Sequence, residues 1–372
     1  MKTFFSLSVM SAVVAFFGFT TFAMGAEKST GPLVLGYYPA WESGLTPDQI
    51  DMGAFTHIAH AFVTADTSGS LVTEGNMPSR ELTSRARKAG VKTLVSLGGM
   101  NSGKTLGPVA ADAERCRVFA QKLVTFAREN GYDGIDVDWE FPDSASEKEG
   151  LTRLCAALRD EMKRQGMKDA LLTAAVGGNK WSTRFVDAAA LLPLLDYVFV
   201  MTYDAHGSWD DHAGHNAPLF PAPGDKPQCA ANSAQGMITH WNETLKWPKE
   251  KMAMGIPCYG RAFPTEALHA PVEKGSKGKH DYVAFKNVAK MQADGWRVER
   301  DEVARVPVMK REGVREVISF EDEASAKEKA AWARSKGLAG YFFWEISQDV
   351  VGGENKLVKA AKEGWSAAGK KE

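Results

Sequence analysis

Eight short apolar stretches recur along the chain, over 33–38, 55–62, 91–97, 134–139, 171–176, 197–201, 251–256 and 338–344. They are rich in β-forming residues and read as buried strands. Between them lie stretches with helical spacing, over 111–130, 147–165, 231–241 and 324–336, and another over 356–362 follows the last strand. Eight strand-helix units in this order predict an α/β fold, a (β/α)8 TIM barrel rather than an open doubly wound sheet. The seventh unit departs from the rest. About eighty residues separate Gly260 from Gly340, far more than one helix needs. Within them 282–294 reads as helix and 296–317 as short strands, so a small α+β subdomain over 262–317 is expected between strand 7 and helix 7. No Pro/Thr/Ser-rich linker and no second cysteine-rich or aromatic module follows Trp344, so 27–372 reads as one barrel unit without an appended binding domain.

The first 26 residues break the pattern. Lys2, an apolar run from Phe4 to Phe22 and then Ala23, Met24 and Gly25 precede a polar stretch. That order predicts a signal peptide over 1–26, cleaved near Gly25 or Ala26, and a secreted or periplasmic protein with no stable membrane association afterwards. Left uncut, the run is long enough to anchor the chain in a bilayer. Cys116, Cys155, Cys229 and Cys258 allow three full pairings in an oxidising compartment. Cys116 and Cys155 fall in successive helices, where they suit packing as small apolar groups or a bridge. The cysteine spacing does not resemble a zinc site. A net charge of -1 over 372 residues gives no sign of a nucleic-acid partner and fits an uncharged ligand best.

One run carries concentrated chemistry. Asp136, Asp138 and Glu140 alternate with Ile135, Val137 and Trp139, so the three carboxylates share one face of the fourth strand. Successive carboxylates spring from Cα atoms ~6.6 Å apart at ~3.3 Å per residue. They repel, and at least one is expected to hold a proton at neutral pH, which makes a general acid. A solvated edge strand with acidic gatekeepers, or a divalent metal site, would use the same residue types.

In a barrel the active residues sit where strands end. The first end gives Tyr37, Tyr38 and Trp41, the second Phe62, and the third Ser96, Gly98 and Gly99. The sixth gives Met201, Tyr203, Asp204 and Trp209, the seventh Tyr259 and Arg261, and the eighth Trp344. Indoles and phenols beside a few carboxylates suit a sugar, whose C–H faces stack on rings while its hydroxyls take hydrogen bonds. Singly, each has a duller explanation, since rings often seal barrel ends and Gly98-Gly99 serves any tight turn.

Together these motifs resemble family 18 glycoside hydrolases, the chitinases. The run Asp133-x-x-Asp136-x-Asp138-x-Glu140 is similar to the family signature, and Ser96-x-Gly98-Gly99 to its third-strand motif. Met201-Thr-Tyr-Asp204 through Trp209, followed by Gly214-His-Asn216-Ala-Pro-Leu, resembles the sixth-strand region of the animal-type branch. Tyr259-Gly-Arg261 resembles the seventh-strand motif, and Ser319-Phe-Glu-Asp322 through Trp344 the return to the eighth strand. The resemblance implies a catalytic barrel over 27–372 that cuts β-1,4 bonds between N-acetylglucosamine units of chitin or its oligosaccharides with retention. The substrate's own acetamido oxygen would be the nucleophile. Two carboxylates on one strand face cannot flank a sugar from opposite sides, which agrees. It further implies that Glu140 is the acid and then the base, and that Asp138 holds the acetamido group. Asp136 and Ser96 would set the protonation of Asp138. Tyr203 would donate to the acetamido oxygen, Asp204 and Arg261 would hold polar groups, Trp344 would form the floor, and Tyr37 and Met201 would line the pocket. No metal, no cofactor and a monomer are expected. Peptidoglycan or the N-glycan core as substrate, and a non-cutting chitin lectin, are the alternatives, although lectins of the family lack the acid. Met100 stands where many relatives carry Trp, and Phe141 where Tyr is common.

Overall fold

The computed structural model describes Met1 and residues 31–369. The remainder of the expected signal peptide lies outside the described residues. Pro32–Glu372 forms one compact unit.

Eight strands form the barrel: β1 Leu33–Pro39, β2 His57–Ala65, β3 Lys92–Met100, β4 Gly134–Glu140, β5 Leu171–Gly177, β6 Tyr197–Met201, β7 Met252–Pro257 and β8 Gly340–Trp344. Each pairs in parallel with the next, and β1 pairs with both β2 and β8, which closes the sheet. The eight apolar stretches of the sequence are these strands. Alternation sorts their side chains into two layers. Leu33, Leu35 and Tyr37 point inward, where they meet Ala59, Leu94, Phe199 and Phe342. Val34 and Tyr38 join the outer layer under the helices, as do Ile135, Val137 and Trp139 of β4. Each large apolar chain buried there contributes about 1.5–3 kcal/mol. The same alternation turns the acidic residues of β4 inward.

The helices follow the predicted pattern with local changes. The stretch over 111–130 is the helix Ala113–Glu129, preceded by a further helix, Gly103–Ala111. They part at Asp112, whose extended backbone breaks the first helix and whose carboxylate caps the second by accepting from Arg115 N at 2.7 Å. The stretch over 231–241 is Ala234–Thr239 with a wider turn, His240–Thr244, after it. Asp322 and Ser325 form a reciprocal cap that starts Glu323–Ser335. Arg80–Lys88 is a helix that the apolar pattern does not mark, since it buries only Leu82, Thr83 and Ala86.

Five antiparallel strands follow β7 in the spatial order Tyr282–Ala284, Tyr259–Phe263, Val317–Ser319, Val306–Lys310, Arg297–Asp301. The first of them in sequence starts at Tyr259, one residue beyond β7. Residues 282–284, read from sequence as the start of a helix, pair instead with Tyr259–Arg261, and the helix is confined to Val288–Ala293. Strand pairing there overrides local helical spacing. All four cysteines are free. Cys116 and Cys155 lie in the outer core, where burial pushes their thiols up to about 11 and about 12.

Candidate active site

Asp136 lies at the bottom of the site and is wholly buried. Its β3 neighbour is Ser96 and its β5 neighbour Thr173, and this register aims two hydroxyls at the carboxylate. Ser96 Oγ donates to Oδ2 at 2.8 Å, Thr173 Oγ1 donates to Oδ1 at 2.7 Å, and Tyr37 Oη donates to Oδ2 at 2.8 Å. Burial raises the Asp136 pKa, and the three donors pull against it.

Asp138, one pleat higher, is 3% exposed, and its Oδ1 is buried with no hydrogen-bond partner. Burial first, then the charges of Glu140 and Asp136, push its pKa well above the ordinary carboxylate range. A close approach of β3 makes room for it: Gly98 has φ +121, and a Cβ there would sit 2.0 Å from the Asp138 carbonyl oxygen. Glu140 reaches the mouth, its pKa raised to about 7 by burial and then by the charge of Asp204. Ser102 spans the strand end, donating to the Asp138 carbonyl at 3.2 Å and accepting from Glu140 N at 3.1 Å.

Opposite stands the end of β6. Tyr203 is buried, and burial followed by the charges of Asp138, Glu140 and Asp204 pushes its phenol pKa well up, which keeps it a hydrogen donor. Asp204 accepts from Tyr259 Oη at 2.6 Å and from Arg261 Nε at 2.7 Å. Asn216 joins the β6 loop to the five-stranded sheet: its Oδ1 accepts from Asp204 N at 3.2 Å and its Nδ2 donates to the Tyr259 carbonyl at 3.1 Å. The Arg261 guanidinium lies 4.9 Å from the Trp209 ring centre.

Aromatic rings complete the wall. Trp344 lies 5.3 Å from Tyr37 and 5.6 Å from Phe62, centre to centre, and Trp41 stacks on Phe62 at 5.9 Å. A Cβ on Gly99 would collide with the Phe62 ring at 2.6 Å. The cleft has a volume of about 960 Å³. Of the residues singled out from the sequence, Tyr37, Phe62, Gly98, Asp138, Glu140, Met201, Tyr203, Asp204, Trp209, Tyr259, Arg261 and Trp344 line it. Asp136, Ser96 and Gly99 stand behind that wall. Met100 and Phe141 also face the cleft, Met100 with 80% of its surface exposed.

The sequence model of Glycosyl hydrolases family 18 matches residues 33–349. The chain belongs to that family. Among curated relatives, Chitotriosidase-1 of Mus musculus is 30% identical over 365 residues, covering 90% of this chain and 77% of its own length. Chitinase 1 of Aphanocladium album is 30% identical over 285 residues, covering 74% of this chain and 65% of its own. The chain thus spans a little under two thirds of that relative. Among solved structures, the Ostrinia furnacalis Group IV chitinase in complex with allosamidin superposes with a TM-score of 0.82 at 27% identity, covering 91% of this chain and 100% of that one.

The family model thus places the chain among the glycosyl hydrolases of family 18. Sequence reading alone passes over several residues of this family 18 site. Thr173 and Ser102 act through contacts across strands, which no local spacing marks. Trp181 follows β5 and lines the cleft with 63% of its surface exposed, edge-on to Phe141 at 6.0 Å. An indole just past a strand end is a signal that would have found it. Among the described residues, a group with metal-ligand chemistry, His206, His212, Asp225 and Cys229, lies outside the acidic row.

Proposed function

We propose that this family 18 enzyme is a chitinase that cuts β-1,4 bonds between N-acetylglucosamine units with retention, the substrate's acetamido oxygen serving as nucleophile. The observation that carries the reading is the division of labour along β4. Glu140, at the cleft and with a pKa near 7, holds a proton to give to the leaving oxygen, and the carboxylate so formed takes one from water in the second half. Asp138 projects from the same strand face, so it cannot attack the sugar from the side opposite Glu140 as an ordinary retaining pair requires. Its buried, unpartnered Oδ1 suits it to accept the acetamido N–H, and its charge stabilises the ring that forms when the acetamido oxygen bonds to the anomeric carbon. Tyr203 donates to that oxygen, and Asp136 with Ser96, Thr173 and Tyr37 fixes the proton balance beneath. Trp344 supplies the floor, and Asp204 with Arg261 holds polar groups of the sugar.

The named relatives act on chitin by their names, which supports the substrate class. Glu140 separates this reading from a binding-only role, since a lectin needs no acid. The residues expected at 1–26 direct the chain to a secreted or periplasmic location, where it acts as a monomer on chitin or its oligosaccharides. The test is Glu140→Gln assayed on N-acetylglucosamine oligomers. We expect kcat to fall by about 10²–10⁴-fold with oligomer binding retained, and the wild type to release the retained anomer before mutarotation, read by NMR. Substantial turnover by the variant, or an inverted first product, overturns the proposal.

A further inference from the structure

Between β6 and β7 the loop that carries Trp209 into the cleft folds over four side chains of one chemical character. One ring nitrogen each of His206 and His212, a carboxylate oxygen of Asp225 and Cys229 Sγ all lie within 4.8 Å of one another. His206 and His212 are buried, and Asp225 and Cys229 half-buried. The other nitrogen of each imidazole is already committed. His206 Nδ1 lies 3.1 Å from the His215 carbonyl oxygen, and His212 Nδ1 lies 2.9 Å from Asp211 Oδ1. Both partners only accept, so both Nδ1 atoms carry the hydrogen, and in the neutral rings each Nε2 is left with a lone pair.

Those lone pairs face a carboxylate. His212 Nε2 lies 2.9 Å from Asp225 Oδ1, and His206 Nε2 lies 3.3 Å from Asp225 Oδ2. The His206 atom is buried on a residue only 1% exposed and has no aligned hydrogen bond. Cys229 Sγ closes the group 4.0 Å from His212 Nε2. Lone pairs converging on a carboxylate repel, so the contact needs either a second proton on each ring, paired with Asp225, or a metal cation among the four groups. Zn²⁺ bound tetrahedrally at about 2.0–2.1 Å from nitrogen and about 2.3 Å from sulfur holds its ligand atoms roughly 3.3–3.7 Å apart, against 2.9, 3.3 and 4.0 Å for these contacts, a spread that small side-chain shifts would close.

We infer that His206, His212, Asp225 and Cys229 form a structural zinc site that fastens the cleft-lining β6 loop to the turn Pro227–Asn232. The donor set of two imidazoles, a thiolate and a carboxylate favours zinc over calcium or magnesium, which take oxygen ligands. A carbonyl and a carboxylate orient the two histidines from behind, the usual outer partners of zinc-bound imidazole. Four protein ligands leave no open position, so the ion holds structure rather than reacting. The cysteine spacing gives no hint of it, because the fold supplies the other ligands from 206, 212 and 225. The site lies apart from the acidic row and does not depend on the proposed reaction.

The experiment uses the full chain, dialysed against a chelator and titrated with Co²⁺ and then Zn²⁺. The wild type should develop the thiolate-to-cobalt charge-transfer absorption, lose it as zinc displaces cobalt, and show a raised thermal midpoint with zinc. Cys229→Ser, a near-isosteric change at a half-buried position, should lack the band and bind zinc at least about tenfold more weakly. Wild-type protein with neither band nor zinc-dependent midpoint overturns the inference and leaves an ion-pair cluster held by protons alone. Equal zinc affinity in Cys229→Ser overturns it too, by placing the metal elsewhere. If the variant does not fold, the wild-type spectrum still decides.

Discussion

At the scale of single residues, the acids of β4 differ in environment more than in type. Asp136 is surrounded by hydroxyl donors, Asp138 is left with a bare oxygen, and Glu140 faces the cleft with its pKa raised by burial and by the charge of Asp204. Asp204 raises the Glu140 pKa, so Asp204→Asn removes a negative charge, frees the positive charge of Arg261, and lowers that pKa on both counts. The alkaline limb of kcat/KM, which reports the acid in the free enzyme, should therefore move below its wild-type position near pH 7. A limb that stays in place contradicts the assignment. The alternation of Asp136, Asp138 and Glu140 with apolar neighbours is plain in the sequence, because a strand period of two is local. Thr173 is not, because it meets Asp136 only through the register of two strands 37 residues apart.

At the scale of elements, the wall facing the acids is held by a seam between the β6 loop and the five-stranded sheet. His215 contacts Ser319 Oγ at 3.0 Å and Asp301 Oδ2 at 3.2 Å, and Asn216 N donates to the same Ser319 hydroxyl at 3.1 Å. Asn216→Ala strips the side-chain half of this seam and leaves the Asp204 N–H and the Tyr259 carbonyl without their partners. It should cost about 1–3 kcal/mol and raise KM for oligomers more than it lowers kcat, because it loosens Asp204 and Arg261 rather than the acid. Thermal unfolding and steady-state kinetics check this, and a variant unchanged in both contradicts it. The order of the elements was legible from apolar periodicity. Their ends were less so: the sheet begins at Tyr259 because Cys258 alone separates it from β7, and 282–284 becomes strand because a partner lies beside it. Neither cause is local to the residues concerned.

At the scale of the whole molecule, the site is a stability debt that depends on pH. Glu140 and Asp349 both have pKa values raised to about 7 chiefly by burial, and Asp138 and Asp136 are raised as well. A carboxyl held above its unfolded value stabilises the fold while protonated, and that contribution is lost as pH rises through the folded value. His57 and His60, lowered to about 4 by burial, act in the opposite sense between about pH 4 and 6.5. Above that window His57 and His60 are neutral in both states, and the raised carboxyls still lower stability as pH climbs. Glu140→Gln should thus be more stable than the wild type by roughly 1–3 kcal/mol at pH 8 and by close to nothing at pH 4, below the ordinary pKa of the unfolded carboxyl. Thermal midpoints at the two pH values test it, and an equal gap at both contradicts it. The barrel itself adds a mechanical asymmetry. Because β1 is laced to β2 on one side and β8 on the other, a pull at residue 32 along the strand loads two ladders in shear at once. A pull at residue 369 first meets the helix Lys356–Ala368, whose buried face is held by side-chain packing and can be peeled turn by turn, so under tension the fold should yield from its C-terminal side before the acids of β4 are disturbed.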